Sequence, residues 1–264
     1  MMDAAPRDQG DPGDAAGDDG PRLSLADDAL FRPVRAGNSF EETVARLLQT
    51  IRLGLVAPGD ALPAERDLAA RFAVSRDTVR DAIRSLADAG FVVSRRGRYG
   101  GTFVSATLPP AGVANAVEDA VADAEVTAAG IDDALGLREI LETGAARAAA
   151  GRTLSAQERE SLWRRLGETA AASTEDYRRL DSRLHLTIAE LAGLGSLVPL
   201  VADNRTTVNA LLDRIPLLDP NIGHSNQQHE AVVIAILTGD ADRAAAAMRE
   251  HLDGSAALIR GFLG

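Results

Sequence analysis

The 264-residue chain has no cysteine and no lysine, and only 3% of its residues are aromatic. Without cysteine, the protein can form no disulfide and use no thiol chemistry. The sequence also lacks the run of about 18 apolar residues that a membrane-spanning helix needs. Its N-terminus has no apolar signal core. We therefore expect a cytoplasmic protein that does not contact membranes.

What the chain does contain favours helices. Apolar residues make up 45% of it, which is enough to bury a core in each of two domains. Alanine and leucine are abundant and aromatics are scarce, a balance typical of helical proteins. The fold class predicted from composition and pattern is mostly α. It consists of an N-terminal winged helix-turn-helix with a small β wing and a C-terminal all-α antiparallel helical bundle.

The winged helix-turn-helix is predicted from residues 60–104. Two short helical patterns are joined by a tight turn at Ala73-Val74, and Gly90 ends the second of them. Two β-type runs follow, Phe91–Ser94 and Thr102–Val104, separated by a basic, glycine-rich tip. In such modules the second helix enters the major groove of DNA. This stretch therefore predicts a DNA-binding protein.

The net charge of −11 is unusual for a protein that binds DNA, but it is unevenly distributed. Residues 38–106 hold ten arginines and eight acidic residues, whereas residues 107–264 hold 14 arginines and 23 acidic residues. The predicted DNA-binding segment is thus the only net-positive part of the chain. An acidic remainder weakens non-specific binding and restricts docking to one face.

Composition also divides the chain into segments. Residues 1–37 are rich in Gly, Asp, Ala and Pro, and we interpret them as a disordered acidic tail. Residues 38–106 form the DNA-binding domain, and residues 107–112, with the pair Pro109-Pro110, form a linker. Residues 113–264 form the helical domain, with helices expected near 113–129, 132–151, 155–172, 175–192, 196–214, 224–238 and 240–262.

The predicted recognition helix has polar residues on its outer face. Arg76, Thr78 and Arg80 point away from the apolar stripe of that helix, and Ser75 precedes it as its N-cap. Arginine can pair with guanine, and threonine can contact a thymine methyl or a phosphate. The predicted DNA contacts also include Arg66 at the start of the preceding helix and Arg96, Gly97 and Arg98 in the wing. For any single arginine, a solvated surface charge remains an equally good interpretation.

Residues 44–104 resemble the winged-helix domain of GntR-type bacterial transcription regulators. The resemblance implies that Arg66, Arg76 and Arg80 contact operator DNA, with Thr78 at a further contact position. It also implies that the wing tip around Gly97 reaches the adjacent groove. The shared residues are Gly54, Pro58-Gly59, Leu62-Pro63, Glu65-Arg66, Leu68-Ala69, Phe72, Val74-Ser75-Arg76, Thr78-Val79-Arg80, Ala82, Leu86, Gly90 and Gly101-Thr102-Phe103-Val104.

Three of the four histidines fall on inward-facing positions of the predicted bundle. Asp181 and His185 are four residues apart and share one helix face, while His229 and His251 each lie on an apolar stripe. Three imidazoles and a carboxylate in one bundle can bind a divalent metal. Three separate buried histidines with local hydrogen bonds would give the same pattern. His224, beside Gly223, is expected in a loop and is structural or exposed.

Residues 112–263 resemble the FCD domain, the all-helical effector domain of FadR-type GntR regulators. By that resemblance Asp181, His185, His229 and His251 are the ligands of a metal, most commonly zinc, with nickel as the alternative. The segments that carry it are DSRLH at 181–185, QHEAVVIAILTGD at 228–240 and AAMREHL at 246–252. The sequence departs from the family at Leu194, where an asparagine is usual.

The resemblance also implies a small carboxylate effector beside the metal. Arg138 matches a family arginine that faces the cavity, although it could equally form a surface ion pair with Glu142. Arg205 and Asn209, four residues apart, are further candidates for effector contact. Taken alone, these two are better interpreted as ordinary exposed polar residues.

These observations predict a homodimeric, metal-containing regulator, a repressor, that binds double-stranded operator DNA with a pseudo-palindromic sequence. The small acid would shift the protein away from its DNA-competent arrangement. A metal sensor, in which the ion itself is the effector, is the first alternative. A metalloenzyme is the second, but no catalytic metal motif such as H-E-x-x-H is present, and Glu230 points about 100° away from His229. We therefore expect no enzymatic activity.

Overall fold

The structure is a computed structural model that describes residue 31 and residues 39–97, 100–109, 127–217 and 219–263. The predicted tail at 1–37 lies outside the described residues except for Phe31. Pro110 and most of the helix expected at 113–129 lie outside them as well, and so does Arg98 of the wing.

The N-terminal part contains three helices and a two-stranded antiparallel sheet. They are α1 (Ser39–Arg52), α2 (Glu65–Phe72), α3 (Arg76–Asp88), β1 (Val92–Arg95) and β2 (Gly101–Val104). Helices α1 and α3 pack together over one apolar core, in which Leu47, Phe72 and Val79 are completely buried. The predicted winged helix-turn-helix is confirmed, and each strand is displaced by one residue from its predicted start.

The turn between α2 and α3 has the conformation that a helix-turn-helix requires. Ala73 adopts a left-handed conformation, with φ at 55°, and its backbone N–H bonds to the carbonyl of Ala69. A left-handed conformation at a residue other than glycine costs on the order of 1 kcal/mol. Ser75 then caps α3, because its side chain accepts a hydrogen bond from the Thr78 backbone N–H at 3.0 Å.

The C-terminal part contains helices and no strand among its described residues, and the helices form an antiparallel bundle. The amphipathic patterns predicted these helices to within a few residues, except at α8. Their bounds are α4 (Ala128–Ala150), α5 (Ala156–Ala170), α6 (Tyr177–Leu191), α7 (Leu197–Leu212), α8 (Asp219–Thr238) and α9 (Ala241–Leu263). Helix α4 packs along α9 and also contacts α6, α7 and α8, so it lies at the centre of the bundle. Among the described helices, none is long and apolar enough to cross a membrane.

Helix α8 begins earlier in the chain than the sequence predicted. It begins at Asp219, so Pro220, Gly223 and His224 lie inside the helix and not in the gap before it. Proline is compatible with this position because the first turn of a helix needs no N–H from it. His224 is exposed on the helix surface, so its predicted exposure holds and its predicted loop does not.

The two parts meet at the end of α1. Leu53, just beyond α1, is buried in the apolar core of the bundle. Polar contacts join α1 to α7: Arg46 and Gln49 both donate to Asp203 Oδ1, at 3.0 and 3.1 Å, and Gln49 also donates to Thr206 at 3.0 Å. The helix that supports the recognition helix is therefore in direct contact with the bundle.

Candidate metal centre and DNA-contacting face

Three helices bring the predicted ligand residues into one buried cluster. Asp181 and His185 come from α6, His229 from α8 and His251 from α9, and each is at most 8% exposed. Their potential ligand atoms all lie within 4.8 Å of one another. His229 Nε2 is at the centre, 3.3 Å from His185 Nε2, 3.2 Å from His251 Nε2 and 3.2 Å from Asp181 Oδ1.

The three distances measured from His229 are close to those between neighbouring ligands of a first-row metal ion. Ligands about 2.0–2.1 Å from a zinc ion are about 3.3 Å apart at the corners of a tetrahedron, and about 3.0 Å apart as neighbours in an octahedron. A hydrogen-bonded cluster fits less well, because one Nε2–H can donate to only one of the three atoms around His229. The arrangement of the four side chains could therefore hold an ion.

Three of the four side chains, Asp181, His229 and His251, have pKa values shifted in the direction that favours metal binding. Burial lowers the pKa of His229, and burial together with repulsion from His229 and His185 holds the pKa of His251 well below its ordinary value. Burial alone would raise the pKa of Asp181, but Arg205 and the histidines outweigh it and lower the pKa well below its usual range. Neutral imidazoles and an ionised carboxylate are the forms that bind metals.

A second layer of charged residues orients the ligands. The Nδ1 of His185 donates to Glu142, which leaves its Nε2 directed at the cluster. Arg205 donates to Asp181 Oδ2 and, at 3.1 Å, to Ser182 Oγ. Carboxylate and arginine partners of this kind fix the rotamer and tautomer of metal ligands.

Two alternative interpretations of the effector candidates are wrong. Arg138 and Glu142 do form an ion pair at 3.0 Å, but both are only 2% exposed, so the pair is not on the surface. Arg205 is fully buried and is not an ordinary exposed residue. Asn209 is half-buried and donates to Ser182 at 2.9 Å, which places it beside Arg205.

The sequence contains a signal that predicts the burial of Arg205 and Arg138. In α7, Arg205 continues the apolar stripe of Val198, Val201 and Val208, so the helical period itself directs it inward. Arg138 lies on the stripe of Ile131, Leu135 and Ala145 in the same way. The role of Glu142 as the partner of His185 had no such signal, because the two residues come from different helices.

The candidate DNA-contacting face, which is formed by Arg66, Arg76, Thr78 and Arg80 and the wing, has a different character. Arg76 is exposed and forms no ion pair with any residue that the structure describes, whereas Arg80 pairs with Asp77 at 3.0 Å and with Glu65 at 3.2 Å. Arg66 has an 80% exposed side chain and pairs with Asp67. Thr78 shares the cap of α3, since its hydroxyl lies 2.8 Å from that of Ser75.

The wing presents further exposed basic groups. Arg96 and Gly97 are both exposed at its tip, and Gly97 has φ at 108°, a conformation that side chains disfavour. Arg95 instead packs its guanidinium over the Phe103 ring, 4.4 Å from the centroid. Of Arg95 and Arg96, the two wing arginines that the structure describes, Arg96 therefore has the more accessible charge.

Comparison with known proteins matches both parts of the chain to described families. Residues 40–104 match the gntR family of bacterial regulatory proteins, and residues 133–254 match the FCD domain. A putative L-lactate dehydrogenase operon regulatory protein of Escherichia coli is 31% identical over 84% of this chain and 86% of its own length. The transcriptional repressor NanR of Salmonella arizonae is 27% identical over 94% of both chains. The structure of Escherichia coli McbR/YncC shares the fold, with a TM-score of 0.54 and 15% identity over 86% of this chain and 99% of its own.

Proposed function

The chain belongs to the gntR family of bacterial regulatory proteins and is a DNA-binding transcriptional regulator, not an enzyme; we propose that a metal-centred site in its FCD domain controls its binding to operator DNA. In this proposal residues 38–106 read the DNA, residues 107–112 are the linker and residues 113–264 sense the signal. The observation that carries the proposal is the convergence of three Nε2 atoms and a carboxylate at the centre of the bundle.

The proposed ligands are Asp181, His185, His229 and His251, and the proposed ion is zinc, which accepts this mixed nitrogen and oxygen set. When bound, the ion supplies positive charge and open coordination positions for an anion. The protein's own residues do the rest: Glu142 and Arg205 hold His185 and Asp181 in place.

Charge balance supports a carboxylate effector. The charges of the buried arginines and carboxylates beside the cluster, Arg138, Arg205, Asp181 and Glu142, sum to zero. A divalent ion would therefore add uncompensated positive charge to a buried site, which an anionic ligand would neutralise. Arg138, Arg205 and Asn209 are the proposed effector contacts. The name of the Escherichia coli relative makes L-lactate the first acid to test.

Helix α7 offers a direct route from this site to the DNA-binding part. One face of α7 carries Arg205, which pairs with Asp181, while Asp203 and Thr206 contact α1. An effector that draws Arg205 away from Asp181 would shift α7 against α1, and α1 packs on the recognition helix α3. The acid then favours one arrangement of the DNA-binding parts over another.

The regulator is proposed to act in the cytoplasm as a homodimeric repressor. Two winged heads related by a two-fold axis match the two half-sites of a pseudo-palindromic operator. The proposed DNA contacts are Arg66, Arg76, Thr78 and Arg80 on the two helices and Arg96, Gly97 and Arg98 in the wing, with Ser75 capping the recognition helix.

The test is a titration of operator binding, followed by fluorescence anisotropy, with zinc alone, L-lactate alone and both together. Native mass spectrometry of the same preparation measures the metal content. A change in operator affinity that requires both zinc and the acid supports the proposal. A response to zinc alone would favour the metal sensor, and no bound metal in the zinc-treated protein would contradict the site itself.

The α7 route has its own test. Asp203→Asn removes the carboxylate that Arg46 and Gln49 share, and Asp253→Asn, exposed on α9, is the matched control. We expect Asp203→Asn to retain its zinc but to respond to the acid several-fold less than the control does. An unchanged response in Asp203→Asn would exclude this route.

A further inference from the structure

The outward face of α4 carries an exposed stripe in which two large apolar residues lie between charged ends. Asp133, Leu137, Ile140, Gly144 and Arg147 recur at alternating intervals of four and three residues, and all five are exposed. Leu137 is 44% exposed and Ile140 is 72% exposed, although α4 is otherwise the central helix of the bundle. This spacing is the one by which two helices pack along a common seam.

A cavity lies beside this stripe. It has a volume of about 300 Å³ and lies along the seam between α4 and α9, with Ile140, Thr143, Gly144 and Arg147 on the α4 side. Space is also open at Gly136 and Gly144, where an added Cβ would meet nothing within 4 Å. Neither glycine is therefore required for packing within this subunit.

The stripe is approximately symmetric about Ile140, since Asp133 and Arg147 lie seven residues to either side of it and Leu137 and Gly144 lie three and four residues away. Suppose that a second α4 packs antiparallel against this stripe, with the two-fold axis at Ile140. A residue that precedes Ile140 by a given number of positions then faces the residue that follows Ile140 by the same number in the other copy. Gly136 then faces Gly144 of the other copy, and Asp133 faces Arg147, its opposite in charge. Leu137 faces Thr143, at the lining of the cavity. Within its own subunit, Arg147 pairs with the exposed Asp242, whereas Asp133 forms no ion pair with any residue that the structure describes.

We propose that this face of α4 is the helical-domain interface of the dimer, packed antiparallel against the same face of a second copy. The inference rests on the proposed function in that it assumes a dimeric regulator. An isologous contact needs a surface that is complementary to itself, and this stripe meets that need in shape, apolar character and charge. The paired glycines allow the two backbones to approach closely, which favours a second helix over a larger partner surface.

A charge-reversal experiment tests the pairing. Asp133→Arg places like charges opposite Arg147, and Arg147→Asp places like charges opposite Asp133, so each variant alone should dimerise at least tenfold more weakly. An equimolar mixture of the two should form a heterodimer, because every facing pair is then of opposite charge. Sedimentation velocity measures both effects, and the mixture shows that each variant is folded. Two variants that dimerise as the native protein does would overturn the proposal.

The absence of cysteine permits a second test. Ile140→Cys places the only thiol of the chain on the proposed axis, where the two Cα atoms of packed helices would be roughly 5 Å apart, within reach of a disulfide. Leu200→Cys, on α7 and 51% exposed, is the matched control. We expect oxidation of the dilute protein to link Ile140→Cys at least tenfold faster than the control. Equal rates would place the interface elsewhere.

The two experiments separate this inference from the proposed function. If the native protein is a dimer that binds zinc and operator, and the α4 variants leave the dimer intact, only the interface is wrong. If the native protein is a monomer at operator-binding concentrations, the dimeric regulator itself is wrong, and so is the interface that depends on it.

Discussion

The DNA-contacting face and the buried site use the same kinds of charged residue in opposite ways. Arg66 pairs with Asp67 while its side chain is 80% exposed, and Arg205 pairs with Asp181 while its side chain is fully buried. Water screens the first pair, so it contributes about 0–1 kcal/mol to folding. The second pair has lost its hydration, so each partner depends on the other.

Because of this difference, a charged residue on the exposed face can be replaced with little effect on stability. A replacement in the buried site affects both function and stability. An exposed arginine such as Arg76 can leave its position for a phosphate or a base at little cost to the fold. If Arg205 moves, the charge of Asp181 loses its closest partner or becomes exposed to water. A ligand that displaces Arg205 must therefore change the packing of α6 against α7. The exposed face is suited to binding DNA, and the buried site is suited to switching.

The largest expected effect comes from Asp181→Asn. The substitution removes the carboxylate that Arg205 contacts most closely, leaves only Glu142 at 3.7 Å as its charged partner, and removes one proposed metal ligand. We therefore expect a loss of about 3–5 kcal/mol in the free energy of unfolding. Urea unfolding measures it. Asp81→Asn, which breaks the exposed pair with Arg84, is the control and should cost less than about 1 kcal/mol. Equal losses of stability in the two variants would show that the exposed and the buried ion pairs contribute equally to folding, contrary to this prediction.

Metal removal should have the next largest effect. An ion held at 100 to 1,000 times its dissociation constant stabilises the folded state by about 3–4 kcal/mol. A chelator should therefore lower the melting temperature of the native protein, and added zinc should restore it. His229→Ala is the control: its melting temperature should not respond to either treatment. A response in that variant would mean that zinc acts elsewhere on the chain.

Arg76→Ala should affect operator binding without affecting stability. Removal of a base contact costs about 1–3 kcal/mol, and a dimer is affected in both heads, so we expect specific binding to disappear. Metal content and the urea midpoint should stay unchanged. Arg84→Ala, an exposed arginine near the other end of α3, is the matched control and should keep its operator affinity. Loss of zinc together with DNA binding would show that the two regions are not separable.

Arg96→Ala should produce the smallest effect. Removal of one phosphate contact weakens binding to all sequences about equally, and it reduces the salt dependence of log K by about one for each arginine that no longer meets a phosphate. Titrations of operator and random DNA at several salt concentrations measure it. A weakening confined to operator DNA would instead assign Arg96 to base readout.

The residues of the candidate metal site differ in how well the sequence alone predicts their positions. Asp181 and His185 are predictable as a pair because four residues in a helix return to the same face. His229 and His251 join them only through the family resemblance, since spacing alone does not distinguish one cluster from three separate histidines. The burial of Arg205 contradicts the expectation from its charge, because its position on an apolar stripe directs it into the core.

The local features of this protein follow from its sequence alone: the helix-turn-helix, the cap at Ser75, the order of the helices and the inward positions of His185, His229 and His251. These depend on the helical period, on capping and on turn chemistry within a few residues. Only the tertiary structure decided that Glu142 meets His185, that three helices bring their Nε2 atoms to one point, and that α7 contacts both the site and α1. Such contacts depend on how helix faces pack across large separations in sequence, and a local pattern carries no information about those distances.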